Sequence, residues 1–250
     1  MKKIGILGGI GWPSTVEYYA GLCGLAEARN REQRIRGRPQ IPEMAIESLD
    51  LAQAEMLVGT DGDEGSWLAF DAYHRAALQR LERSGADFAV IACNTAHHRL
   101  TQIERDLAIP VLGIVDAAAD ACAERGVREV LILGTRTVMA SAVFRETFRQ
   151  RGINACAPAE EHHRQMVLAS IDALSRGHDD GASRRIRRVI VESGIRQAKP
   201  SSAVYLGCTE LPLAFPAHKH EGLFEVSGIR CINSTALHIR AAFEYAVMDA

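Results

Sequence analysis

Aromatic residues are scarce, at 6%, and net charge is nearly absent: 29 basic side chains face 31 acidic ones. The first shortage leaves little material for base-stacking platforms. The second removes any strong field that would draw the chain onto nucleic acid or an anionic membrane. Long apolar runs are missing as well, and nothing approaches the roughly 18 residues of a membrane span. The apolar stretch Ile4–Ile10 is interrupted by glycines and closed by Trp12-Pro13-Ser14. It therefore reads as a first buried strand and not as a secretory signal. The expectation is a cytoplasmic protein with no nucleic-acid or membrane partner. Its six cysteines (Cys23, Cys93, Cys122, Cys156, Cys208 and Cys231) are expected to be free thiols.

What is present is an ordinary globular composition, 47% hydrophobic and 24% charged. That excludes disorder and collagen-like repeats, and 250 residues allow one large domain or two small ones. Short apolar runs alternate with longer helical patterns, which predicts an α/β fold with mostly parallel sheets. Strands are expected at Lys3–Gly8, Pro42–Asp50, Ala86–Cys93, Pro110–Val115, Glu129–Gly134, Ile153–Ala157 and Ser202–Gly207. Helices are expected from Ser14, over Asp63–Ser84, after Cys93, near residues 137–151, 160–175 and 181–197, and from Ser234 as a cap to Met248. Arg29–Arg38 reads as a solvated helix end, His178–Ala182 as a polar turn and His162-His163 as a solvated helix start. Glu221–Arg230 stays unassigned.

A faint internal duplication stands out. Lys3–Gly8 followed by Ser14-Thr15 resembles Glu129–Gly134 followed by Thr135 and Thr137. Phe88–Thr95 likewise resembles Ala203–Glu210, so that Cys93 aligns with Cys208. Two lobes on one plan are implied. In parallel sheets ligands sit beyond the carboxyl ends of strands, and both cysteines fall there. The other four thiols read as small buried hydrophobes. Two opposed thiols suit inversion at a carbon that bears a hydrogen, one acting as base and the other as acid. A helix starting near Asn94-Thr95 would favour the thiolate. Asn94, Thr95 and Thr209 are placed to hold a carboxylate. Glu210, His97 and His98 are candidates to orient or polarise a thiol.

Cys93-Asn94-Thr95-Ala96-His97 and Gly207-Cys208-Thr209-Glu210 resemble the paired signatures of the cofactor-independent aspartate/glutamate racemase family. Gly8-Gly9-Ile10-Gly11-Trp12-Pro13-Ser14-Thr15 is similar to that family's first loop, and Leu133–Met139 to its second. The resemblance implies two pseudo-symmetric lobes with parallel sheets and the active site between them. It also implies no cofactor, a small-molecule substrate (an amino acid or related carboxylate) and a homodimer. Lobe one would comprise residues 1–115 with 228–250, and lobe two residues 116–227. Cys93 and Cys208 become the acid/base pair, and Ile10, Ser14, Asn94, Thr95, Thr135, Thr137 and Thr209 become substrate contacts. The sequence departs from the family pattern at the distal end of the substrate. Leu49–Glu55 carries no cation, Gln165 stands where some relatives have one, and Asn233 replaces an aspartate. An acidic side chain on the substrate therefore does not follow.

Other readings fit less well. A zinc site from Cys93, His97 and Cys208 lacks a second close ligand pair, and no metal is expected. The Gly8–Gly11 turn has Ser14 where a dinucleotide fingerprint needs glycine. Hydantoin or allantoin racemisation and maleate cis–trans isomerisation suit the same scaffold. A small-molecule binding protein would have no use for paired thiols.

Overall fold

In the computed structural model, which describes every residue except Asp180, Gly194, 196–200, Ser227, 249 and 250, the strands gather into two sheets, one in each of two compact units. The first unit comprises Met1–Gly113 and His238–Ala250, and the second comprises Ile114–Leu237. Residues 114, 115 and 228–237, expected in lobe one, lie in the second unit, the first two as the start of the helix Ile114–Glu124. The reason for the later stretch is a strand over Ile229–Asn233 that hydrogen-bonds into the second sheet.

The first unit contains β1 (Ile4–Gly8), α1 (Trp12–Glu32), β2 (Met44–Ser48), α2 (Leu51–Met56), α3 (Leu68–Arg83), β3 (Phe88–Ile91), α4 (Leu100–Ile103) and β4 (Val111–Leu112). Its sheet is parallel, in the order β2-β1-β3-β4. Strands buried on both faces read as unbroken apolar runs, which is why β1 and β3 are visible in the sequence. One face, carrying Ile4, Ile6, Phe88 and Val90, packs on Tyr18, Leu22 and Ala26 of α1 and on Ile239 and Phe243 near the C-terminus. The other face, with Leu7, Ala89 and Ile91, packs on Trp67, Phe70, Leu78 and Leu81. Each such side chain contributes roughly 1.5–3 kcal/mol by leaving water. Helix α1 carries Pro13 in its first turn and buries a stripe at four-residue spacing from Ser14 to Asn30.

The second unit contains α5 (Ile114–Glu124), β5 (Glu129–Gly134), α6 (Arg136–Ala140), α7 (Ala142–Arg149), β6 (Asn154–Cys156), α8 (Glu161–Ser175), α9 (Ala182–Glu192), β7 (Ser202–Gly207), β8 (Leu223–Val226) and β9 (Ile229–Asn233). The sheet order is β6-β5-β7-β9-β8, parallel except for the β8–β9 hairpin. The first three positions repeat the order of the first sheet, with β5 and β7 standing where β1 and β3 stand, so the duplicated motifs sit on equivalent strands. Helix α10 (Ser234–Val247) follows, and the division between the units falls within it.

Several expectations shift. The helix expected over 137–151 breaks at Ser141, whose extended backbone starts α7 and whose hydroxyl accepts from Phe144 N–H. The unassigned stretch Glu221–Arg230 contributes the antiparallel edge. Helix α9 ends at Glu192, and positions 194, 196 and 197 of the expected helix lie outside the described residues, as does Asp180 in the expected polar turn. Asn233, not Ser234, caps α10. Its side-chain oxygen accepts from Ala236 N–H and its amide donates to the Lys219 carbonyl, while Ser234 donates its hydroxyl to the Leu206 carbonyl.

Candidate active site

The carboxyl edge of each sheet gathers a cysteine, a glycine turn and a set of polar side chains. In the first unit Cys93 lies two residues past the end of β3, half-buried, with Asn94 buried beside it. The Gly8-Gly9-Ile10 turn leaves β1 at the same edge. Ala92 N–H donates to the Leu7 carbonyl at 2.8 Å, and Leu49 N–H donates to Gly8 at 3.0 Å. Ile10 and Cys93 pack against one cluster of apolar side chains. The turn depends on glycine at two positions. A Cβ on Gly8 would lie 2.3 Å from Thr15 Oγ1, and Gly9, at φ +83°, would bring one within 2.2 Å of the Leu49 carbonyl. Thr15 Oγ1 accepts from Gly9 N–H at 2.9 Å. Thus Thr15 shapes the loop, while its neighbour Ser14, the expected contact, is buried in the first turn of α1.

The segment after Cys93 is not the expected α-helix. Thr95–Arg99 forms a 3-10 turn, followed by the four-residue α4. Only a weak dipole therefore points at the Cys93 thiol, and the helix-terminus argument for a thiolate is corrected. His97 is buried and its Nδ1 donates to the Cys93 carbonyl at 2.8 Å, so its contact is with the backbone. His98 lies against Trp67, ring centroids 5.2 Å apart, with Asp61 at 3.8 Å. Burial lowers its pKa, opposed by Asp61.

In the second unit Gly134 of β5 pairs with Gly207 of β7, and Thr135 and Cys208 follow them directly. A Cβ on Gly134 would stand 2.7 Å from the Gly207 carbonyl, so the two strand ends close up only as glycines. Thr135 caps α6 by accepting from Val138 N–H at 3.3 Å, and Thr137 is half-buried in that helix's first turn. Cys208 is buried. Its Sγ donates to Glu210 Oε2 at 2.8 Å, and Thr209 Oγ1 donates to the same oxygen at 3.0 Å. One carboxylate oxygen thus receives both donors, and the thiol is held as a proton donor aimed at a base.

The remaining cysteines differ from these two. Burial pushes the Cys122 and Cys231 thiols up to about 12. Cys156 is exposed on the edge strand β6, contrary to the expected burial, and its pKa is raised by desolvation and by Glu129. Cys23 is half-buried on α1. The histidine pair is also corrected: His163 is buried, with Nε2 2.9 Å from Glu192 Oε2. Arg164, next to the position where a cation is missing, donates to the Pro158 and Ala159 carbonyls and to Glu161.

Known proteins similar to this chain include named amino-acid racemases. A glutamate racemase from Koribacter versatilis is 27% identical over 168 residues, which cover 66% of this chain and 55% of that protein. A broad specificity amino-acid racemase from Bacillus subtilis is 24% identical over 132 residues, 53% of this chain and 56% of that one. The chain thus spans little more than half the length of these two curated relatives. The crystal structure of an aspartate racemase homologue from Pyrococcus horikoshii superposes with a TM-score of 0.72 at 28% identity, covering 99% of this chain and 100% of that one. The Asp/Glu/Hydantoin racemase family model matches residues 7–242, and the chain belongs to that family.

Proposed function

We propose that this chain is a cofactor-independent amino-acid racemase in which Cys93 and Cys208 act on opposite faces of one substrate Cα. One thiolate removes the Cα proton while the other thiol delivers a proton to the far face, and the roles exchange for the opposite enantiomer. The observation that carries the reading is positional. Two cysteines occupy the same place, just past the carboxyl end of the equivalent strands β3 and β7. Each has polar neighbours: Asn94 and Thr95 in one unit, Thr209 and Glu210 in the other. In this reading Glu210 takes up and returns the Cys208 proton through the hydrogen bond described above.

The backbone and hydroxyl groups around Ile10, Ser14, Asn94, Thr95, Thr135, Thr137 and Thr209 hold the substrate carboxylate. His97 fixes the Cys93 backbone and His98 buttresses the same turn. Asp50 spends its side chain capping α2, and no lysine or arginine lies between Leu49 and Glu55. The reading therefore commits to chemistry at Cα and not to an acidic side chain. A homodimer in the cytoplasm completes it; no described helix is long and apolar enough to cross a membrane.

The test is chiral chromatography after incubation with a panel of amino acids, a hydantoin, allantoin and maleate, with no cofactor added. Racemisation of one or more amino acids is expected, falling by at least about 1,000-fold in both Cys93→Ala and Cys208→Ala. Circular dichroism of both variants should match the parent. Turnover of the hydantoin, allantoin or maleate alone, or full activity in either variant, would overturn the reading.

A further inference from the structure

Beyond the cysteine-bearing strand edges, the first unit holds a cavity of about 480 Å³ between the start of α3 and the Arg99–Arg105 segment. That is within the range of small-molecule sites. Its walls include Glu64, Leu68, Asp71, Arg75, Arg99 and Arg105, and Cys93 is not among them. Arg99 is almost fully buried and grips Asp71 with two hydrogen bonds, Nε to Oδ1 at 3.1 Å and Nη2 to Oδ2 at 2.8 Å. Its remaining nitrogen, Nη1, meets Glu64 at 2.8 Å. Both wall carboxylates are thereby committed to one arginine.

Arg75 and Arg105 are left over. Among the described residues neither has a carboxylate within ion-pair distance. Arg75 donates from Nη2 to the Gln102 carbonyl, while its Nε is buried without a hydrogen-bond partner. A buried, unpaired donor on a permanently charged group is costly unless something supplies an acceptor. Three guanidinium groups against two committed carboxylates make the cavity electropositive. The planar fork of a guanidinium matches the paired oxygens of a carboxylate or a phosphate.

We propose that this cavity is a binding site for a small organic anion, which presents a carboxylate or phosphate group to Arg75 and Arg105. The ligand oxygens take the free Arg75 donors and draw in the exposed Arg105. Glu64, on the outer rim of Arg99, is the wall group a ligand would displace. The proposal does not depend on what reaction the cysteines perform.

The test is isothermal titration of the intact chain with inorganic phosphate and, separately, succinate, at an ionic strength held constant with sodium chloride. At least one probe is expected to bind saturably. Arg75→Gln and Arg105→Gln should each weaken that binding about tenfold or more, with unchanged circular dichroism and melting temperature. Arg75→Lys should weaken it too, since an ammonium keeps the charge and loses the fork. Binding of phosphate alone marks a phosphorylated ligand, and binding of succinate alone marks a carboxylate. Saturation by neither probe, or binding unchanged in both glutamine variants, would overturn the proposal.

Discussion

Glu210 accepts from two donors through one oxygen, and that arrangement separates its contribution from that of the thiol it serves. If the carboxylate relays the Cys208 proton, removing its charge slows the chemical step without loosening the substrate. Glu210→Gln keeps a carbonyl oxygen to receive the thiol, so geometry survives while basicity is lost. The expected result is a kcat at least about tenfold lower with KM changed less than about threefold, read from initial rates in both directions. A variant in which KM rises and kcat holds would make Glu210 a substrate contact instead. The residue types were legible in the sequence, because a cysteine followed by a hydroxyl and an acid or amide at a strand end is an unusual juxtaposition. Their contacts were not. His97 and His98 lie side by side in the chain, yet one reaches the Cys93 carbonyl and the other turns to Trp67 and Asp61. Only the 3-10 geometry of Thr95–Arg99 decides which.

At the scale of elements, α10 is tied into the first unit by a buried histidine. His238 donates from Nε2 to the Leu112 carbonyl at 3.0 Å and accepts at Nδ1 from Tyr18 Oη at 2.6 Å. Acceptance at Nδ1 requires the neutral ring, and burial pushes its pKa down to about 3, with the neighbouring His97 adding to the effect. The unfolded chain would protonate this ring near pH 6.5 while the folded chain refuses the proton. Stability from this group is therefore complete above about pH 6.5 and is lost progressively as the pH falls toward 3. Between pH 7 and pH 4 the loss amounts to about 3 kcal/mol. Urea unfolding at those two pH values should show a wild-type loss larger by about that amount than in His238→Gln, whose amide cannot titrate. Equal losses would place the acid sensitivity elsewhere.

Element legibility followed burial. The two-face-buried strands β1, β3, β5 and β7 announce themselves as apolar runs, whereas β8 and β9 are broken by the charged Glu225 and Arg230 and show no such run. The break at Ser141 was hidden because serine inside a helical pattern and serine at a cap look alike until the backbone is seen.

At the scale of the whole chain, the duplicated sequence corresponds to a duplicated topology. Both sheets begin with the order second, first, third strand of their unit, and both place a glycine turn and a cysteine at the carboxyl edge. That correspondence was faint in the sequence because only the glycines and cysteines are fixed by geometry, while apolar strand residues are interchangeable by volume. Groups brought together across long separations were invisible there. The Asp71–Arg99 pair, 28 residues apart, has no sequence signature.

Two thiols serving two faces make a specific isotopic demand. When one pure enantiomer is converted in deuterium oxide, the proton removed from one face is not the one returned to the other. The newly formed enantiomer should therefore carry deuterium at Cα from the first turnover, while the remaining starting material stays largely protiated. Mass spectrometry of the two enantiomers after chiral separation reads this directly. Deuterium in the product but not in the unreacted substrate, from either starting enantiomer, is the predicted result; product that keeps its original hydrogen, or label entering both enantiomers equally at early times, would contradict it.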